Sequence, residues 1–384
     1  MSPHRNIRVL TWFNFFSSFR LFAAILILYF QRITGSYALA MSIISVVFIS
    51  TALLEVPTGI FSDRIGRKNT MILGALSGVL AVVFYAIGIS YWILVVGAIF
   101  EGLGRSFFSG NNTSLLHDTL REHNQEQEYS HHLGQTSSMF QVASAVSAVL
   151  GGFIAYISFP LVMWLSVIPQ VISVLLSTQL IEPKVHTKKT GNVFQHLNIA
   201  IKKTLENKKL RLLTIAGTIN YGVGEAAYEF KAAFYNLVWP TWALGIPRTV
   251  SGVAAAVSYY FGGKIIKRFT PIKVIITDTI STPIITTLAA IFITPLSPIF
   301  MALTSLFYGS ANVAENTLFH QEFTNEQRAT MASLQSFTTC LLIALSSFIL
   351  GVIADIWGIV PALVCAQAVL LANTYFYKRA GSLT

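Results

Sequence analysis

The chain is predicted to be an all-α integral membrane protein, with twelve transmembrane helices arranged as two pseudo-symmetric six-helix bundles. Three observations predict this. Hydrophobic residues make up 54% of the 384 positions and charged residues only 11%, where soluble domains carry about a quarter charged, and the mean hydropathy is +0.63. The apolar residues come in runs of about 20, the length a helix needs to cross the hydrocarbon core, and lack the alternating runs of about 10 that barrel strands show. The 26 Lys and Arg residues collect in every second connection between those runs.

Taken in order, the spans fall at residues 8–30, 37–61, 69–89, 92–117, 133–156, 160–181, 210–238, 248–267, 272–293, 298–319, 329–354 and 358–378. The first follows Arg5 and Arg8 as a signal peptide would, but it carries Arg20 and precedes many more spans, so it reads as a retained helix. With the N-terminus inside, the inner connections hold 21 of the 26 cations and the outer ones only Arg32 and Arg248. Both termini are therefore expected in the cytoplasm of a multi-pass inner-membrane protein. The same rule accounts for the net charge of +10 without nucleic acid as a partner. Cys340 and Cys365 sit inside apolar runs, where a small apolar role fits better than a disulfide framework. Trp92, Trp239, Trp242 and Trp357 fall near outer span ends and read as interfacial anchors.

The longest polar interval separates the sixth and seventh spans. It divides the chain into an N-terminal bundle at 1–181, a basic cytoplasmic linker at 182–209 and a C-terminal bundle at 210–384. Within the linker, 193–205 fits either a short amphipathic surface helix or a solvated tether. The halves echo each other: Gly59 and Gly262 lie 203 apart, and Leu150-Gly151 and Leu350-Gly351 lie 200 apart. Offsets this close argue for an internal duplication.

The connection after the second span reads Gly-Ile-Phe-Ser-Asp-Arg-Ile-Gly-Arg-Lys from Gly59 to Lys68. Asp63, Arg64, Arg67 and Lys68 must lie in water or among headgroups, and Gly66 is free to take a left-handed turn. This G-x-x-x-D-R-x-G-R-K pattern, twelve spans split as six and six, and a basic central linker together resemble the major facilitator superfamily. The resemblance implies that the loop is a cytoplasmic latch formed by Gly59, Asp63, Arg64, Gly66, Arg67 and Lys68. It also implies that Asp63 and Arg67 pair with an acidic residue at the inner end of the fourth helix, where Asp118 stands. An Arg67 guanidinium facing a weakly solvated carboxylate there can bond it bidentately. The alternative is that Asp118 merely ends its helix.

The drug/proton antiporter branch of that family is matched in part. Ala98 stands where those proteins carry an Arg, followed by Glu101-Gly102-Leu103-Gly104. The fifth span has Ser147-Ala148-Val149-Leu150-Gly151-Gly152 where they tend to show G-P-x-x-G-G.

Ionisable residues inside spans are costly, so each is a candidate for function. Glu101, Arg105 and Asn112 fall on one stripe of a continuous fourth helix. Glu101 and Arg105 are either a self-neutralising i, i+4 pair that holds packing, or a cavity-facing pair that exchanges partners with substrate or protons. Arg20, near mid-depth in the first span with Asn14, cannot discharge and needs a carboxylate, from Glu101 or from the substrate. In the seventh span Tyr221, Glu225 and Tyr228 share a face, and Glu315 of the tenth neighbours Asn312 and Asn316. Asn14, Arg20, Glu101, Arg105, Asn112, Tyr221, Tyr228 and Glu315 are thus the substrate-binding candidates. Glu225 is the first candidate for carrying a proton and Glu55, beside Pro57, the second. Asp278 is a further charge in the ninth span, and Asp355 ends the eleventh without an assigned role.

The function expected is secondary active transport by alternating access, with proton-coupled efflux of a small amphipathic compound leading. Movement of an anionic metabolite or carboxylate siderophore, in either direction, is the alternative, and a non-transporting membrane receptor a remote one. The expected partners are a small-molecule substrate, protons and the lipid bilayer, around a monomer. There is no nucleotide loop and no enzyme signature, and no cofactor is expected. His117, His131 and His132 read as interfacial histidines, and no metal is expected.

Overall fold

The computed structural model describes residues 4–184, 204–322 and 325–383, and only the backbone at 4, 63, 320–322, 325–330 and 332. The proposed linker helix at 193–205 therefore lies almost wholly outside the described residues, as does the side chain of Asp63.

Among the described residues the chain is helical, without strands. Each predicted span coincides with one helix or one interrupted helix. The first is α1 (His4–Ser18), a 3₁₀ turn at Leu21–Ala24 and α2 (Leu26–Thr34). There follow α3 (Tyr37–Ile65), α4 (Arg67–Ile87), α5 (Tyr91–Phe108) with α6 (Asn111–Glu122), α7 (Tyr129–Ile157) and α8 (Phe159–Thr178). The second half comprises α9 (Lys208–Val238), α10 (Gly245–Arg268), α11 (Pro271–Ile291), α12 (Ser297–Leu303) with α13 (Ser305–Glu322), α14 (Asn325–Trp357) and α15 (Ile359–Gly381). Eight of these segments are long and apolar enough to cross a membrane by length and composition. Four predicted spans are not among the eight: the first and tenth are split, the seventh carries Glu225, Glu229 and Lys231, and the eighth carries Arg248, Lys264 and Lys267.

Two of the interruptions differ from the continuous helices expected. The first span breaks at Arg20, whose backbone is extended at φ −115° and ψ 96°. Irregular backbone at membrane depth survives only when protein covers it, and Leu21, Phe22, Ala24 and Ile25 are at most 5% exposed. The fourth span breaks at Ser109-Gly110, where Gly110 takes φ 71°.

The chain divides into two compact units: Met1–Gly35, Val46–Lys189 and Pro240–Ile246 form one, and Ser36–Ser45, Thr190–Trp239 and Pro247–Thr384 the other. In the first unit α4 lies along α5 and α8, and α1 packs on α7 and α8. In the second α9 lies along α14 and α15, and α11 along α13 and α15. Their apolar cores centre on Leu10, Phe13, Met71 and Leu120 in the first and on Leu213, Ile275, Ala314 and Tyr377 in the second. The units repeat one packing device. A Cβ on Gly102 of α5 would meet Ser50 and the Val47 carbonyl of α3 at 2.5 and 2.6 Å, and one on Gly309 of α13 would meet Tyr259 N and the Ala255 carbonyl of α10 at 2.6 and 2.8 Å. In each unit a glycine thus brings two backbones into direct contact, as small residues do between membrane helices.

Candidate functional site

In the first unit three helical segments converge on Glu101. The break after α1 frees Arg20 from helical direction, and its Nη1 donates to Glu101 Oε1 at 2.6 Å. Arg105, one turn along α5, donates to the same oxygen from Nη2 at 2.8 Å and Nε at 3.2 Å. The other oxygen, Oε2, accepts from the Tyr85 hydroxyl of α4 at 2.9 Å. Glu101 is 5% exposed and Tyr85 fully buried, whereas the Arg20 and Arg105 side chains keep 27% and 41% exposure. The carboxylate is therefore the buried hub, and the guanidinium groups are its more exposed partners. Arg105 also lies 5.1 Å over the Phe48 ring, a favourable cation–π position. Beside the cluster, Arg20, Glu101, Arg105, Phe108 and Gln170 line a cavity of about 10 Å³, near the smallest that holds one water.

Asn112 does not continue the Glu101–Arg105 stripe. The left-handed Gly110 turns the chain between them, and Asn112 instead donates to Asn14 Oδ1 at 2.5 Å, while Asn14 donates to the Thr136 carbonyl at 3.1 Å. This amide chain ties α6 to α1 and α7.

Around the signature loop, Arg67 and Asp118 approach through a single contact of 3.8 Å, Nε to Oδ2, so the expected bidentate bond is not formed. Arg67 Nη1 donates instead to Asn111 Oδ1 at 2.9 Å and to Ser62 Oγ at 3.3 Å, and Ser62 donates to the same Asn111 oxygen at 2.6 Å. The turn at Gly110 starts α6 with Asn111 in that position. Arg64 is exposed, and Gly59 has open space around it. The Lys68 backbone N–H donates to Glu182.

In the second unit Asn312 of α13 donates to the Tyr221 hydroxyl of α9, and Asn316 donates to Asn312 Oδ1 at 3.0 Å. Glu315, on another face of α13, is 4% exposed and accepts from the Tyr377 hydroxyl at 3.0 Å. Tyr228 lies 5.3 Å under the Arg248 guanidinium, which reaches Glu229 at 3.4 Å. Glu225 is exposed, so the burial that recommended it as a proton carrier is not found there. Glu55 is half-buried and accepts from Ser109 Oγ at 3.1 Å.

Sequence reasoning missed Tyr85, Asn111, Ser62, Tyr377 and Glu182. The first four are ordinary polar residues in apolar runs, and only folding shows what they touch. Glu182 carried a signal, an acidic residue immediately after a span and facing a basic loop. His132 pairs with Glu128 at 3.2 Å, and among the described residues no group of three metal-ligating side chains assembles.

The family model of the Major Facilitator Superfamily matches residues 9–347. The chain belongs to the Major Facilitator Superfamily. As a member it is a multi-pass membrane transporter and not an enzyme. Among curated proteins it is 26% identical over 129 residues to an uncharacterized transporter of Buchnera aphidicola, covering 33% of this chain and 32% of that one. It is 28% identical over 106 residues to the multidrug resistance protein MdtH of Photorhabdus laumondii, covering 28% of this chain and 25% of that one. The alignments thus span a third or less of these relatives. The fold matches the crystal structure of the nucleoside transporter NupG with a TM-score of 0.80 at 10% identity, covering 99% of this chain and 100% of that one. It matches a bacterial homologue of the lysosomal transporter Spinster, crystallised inward-facing and unoccupied, with 0.76 at 14% identity over 99% and 95%. Identities this low carry the superfamily fold and no substrate.

Proposed function

We propose that this transporter works by alternating access and exports a small amphipathic compound in exchange for protons. The observation that carries this reading is Glu101, a buried carboxylate hub that holds two half-exposed arginines inside the membrane-spanning helices. Such a hub can release one guanidinium to a substrate group and recapture it without leaving a bare charge in hydrocarbon. The partial likeness to a multidrug resistance protein supports an amphipathic cargo. On this reading Arg20, Glu101, Arg105, Tyr221 and Tyr228 contact substrate, the loop around Arg67 is the cytoplasmic latch, and both termini of the monomer face the cytoplasm.

A second reading has one specific observation in its favour. Two arginines meet on a single glutamate oxygen, so a substrate carboxylate or phosphate can replace Glu101 on either guanidinium, which suits an anionic metabolite moved in either direction.

The test is transport by the purified protein in proteoliposomes with an imposed pH gradient, screening lipophilic cations against carboxylates. Gradient-driven movement of a lipophilic cation, lost in Glu101→Gln, supports export of amphipathic compounds. Movement of carboxylates alone supports the second reading. Transport that ignores the pH gradient overturns proton coupling.

A further inference from the structure

Two buried carboxyl groups lie in the second unit: Asp278, which has no assigned role, and Glu315, which the sequence offers as a substrate contact. Asp278 on α11 is 6% exposed and Glu315 on α13 is 4% exposed. Each accepts a single hydrogen bond from a hydroxyl: Asp278 from Thr282 Oγ1 at 2.7 Å, Glu315 from Tyr377 at 3.0 Å. Among the described residues neither forms an ion pair within 4.0 Å. A lone hydroxyl donor does not replace the hydration an ionised carboxylate loses on burial, and a buried carboxyl without a cation takes up a proton instead.

The surroundings are built to hold a neutral acid. A side chain on Gly217 of α9 would collide with Glu315 Oε1, so this glycine lets the carboxyl lie directly against the helix backbone. Next to it, Asn373 of α15 donates through Nδ2 to the Ala216 carbonyl at 2.8 Å. Asn373 is 2% exposed and its Oδ1 has no hydrogen-bond partner. Asn373 stands one helical turn from Tyr377, which already bonds Glu315. A buried, unfilled acceptor one turn from the tyrosine that bonds Glu315 calls for a donor from its surroundings. On α11, Pro283 removes the amide that would bond the Thr279 carbonyl, and Thr374 of α15 takes its place at 3.1 Å, so the helix carrying Asp278 is satisfied without an added ion.

We propose that Asp278 and Glu315 are the proton-loading groups of this transporter. The proposal rests on the proton-coupled reading for its purpose, though not for its geometry. Loading forms one O–H bond between an incoming proton and a carboxylate oxygen. Unloading breaks that bond and returns the proton to water when the packing around α11 and α13 opens. The groups that bear on the pair come from every neighbouring element: Tyr221 and Lys231 from α9, Tyr377 from α15, Tyr308 from α13, and Tyr259 of α10 packed on Tyr308. Lys273, Lys378 and Arg379 are exposed at helix ends. The short α12 carries no titratable side chain.

The experiment is infrared difference spectroscopy of the full-length protein in detergent, following the carbonyl stretch of protonated carboxyl groups as pH is raised through neutrality in potassium buffer. Wild type should show that band near neutral pH and lose it at high pH. Glu315→Gln and Asp278→Asn should each remove part of it, and the double variant nearly all. Glu225→Gln should leave it intact. Tyr377→Phe, which keeps the ring and deletes one donor, should shift the band's frequency, so the assignment is tested even where a carboxyl variant does not fold. A wild type without the band, a double variant that retains it, or loss of the band on replacing potassium by sodium at constant pH would each overturn the proposal, the last by assigning the pair to a metal cation. Proton-coupled transport is read separately in proteoliposomes, so a band that behaves as described in a protein indifferent to the pH gradient sinks the function and leaves the site.

Discussion

Glu182 caps the helix that follows the signature loop. Its two carboxylate oxygens accept the backbone N–H groups of Arg67 and Lys68 at 2.7 and 2.6 Å. Gly66 is what admits it: a Cβ there would lie 2.8 Å from the carboxylate, and the residue holds φ 91°. A negative charge on the unsatisfied first-turn amides of α4 is favoured by both hydrogen bonding and the helix dipole. The residue that opens the basic linker thus fixes the start of the helix bearing Arg67.

Two substitutions separate the terms at this cap. Glu182→Ala removes two charge-assisted bonds at a half-buried position and should cost about 1–2 kcal/mol. Gly66→Ala should cost about 1–3 kcal/mol for the backbone conformation, with a clash added. The clash disappears when Glu182 is already truncated, so the double variant should lose less than the sum of the singles. Thermal unfolding in detergent reads all three. Strict additivity would mean that Gly66 serves conformation alone.

The latch is expected to answer more to Asn111 than to Asp118. Arg67 lies 2.9 Å from the Asn111 amide oxygen and 3.8 Å from Asp118. Asn111→Leu leaves buried Ser62 and the guanidinium without their shared acceptor and should cost about 1–3 kcal/mol. Asp118→Asn should cost under about 1 kcal/mol in stability, since its contacts with Arg67 and His117 both lie at 3.8 Å, where each contributes little. Charge reversal is different: Asp118→Lys sets two cations together and should impair transport, and Arg67→Asp should partly restore it. A fully active Asp118→Lys protein would remove the latch.

The membrane-helical fold class was legible because a bilayer imposes one length and one composition on every crossing segment. The pairing of Arg20 with Glu101 was legible too, as an arginine at that depth has few other ways to be compensated. What could not be read was where helices break. Arg20 leaves the helix by an extended residue and Asn112 is turned away by Gly110, and both depend on what packs against them. Glu225 shows the same limit: hydropathy places it inside a span, but which face of α9 is covered is settled by its neighbours.

Glu101→Gln should destabilise the first unit and abolish transport. The amide offers one acceptor oxygen to two guanidinium groups and brings its NH₂ towards one of them or towards Tyr85. Removing the carboxylate from a fully buried pair costs about 3–5 kcal/mol. Since Arg20 and Arg105 are 27% and 41% exposed, water screens the loss to about 1–3 kcal/mol. Tyr85→Phe deletes one hydrogen bond at constant shape and should cost about 1 kcal/mol. Unfolding temperatures would check both, and equal losses in the two variants would show that Glu101 does not carry the arginines.

Asp355, which had no role by sequence, caps α3. Its Oδ1 accepts from Tyr37 N at 2.7 Å and its Oδ2 from Ala38 N at 2.9 Å. Gly351, one turn earlier on α14, lies against the Tyr37 carbonyl, at 2.5 Å from an ideal Cβ. Residues 37–45 of α3 belong to the second unit and residues 46–65 to the first. Asp355→Ala should therefore free the first-turn amides of a helix that runs through both units, at a cost of about 1–2 kcal/mol. Asp355→Asn keeps an acceptor for one amide and should lose about half as much. Hydrogen exchange at Tyr37 and Ala38 reports the local event, and it should accelerate in both variants while exchange in the middle of α3 does not change. Unaltered protection at those two amides would show that the cap is not what holds the turn.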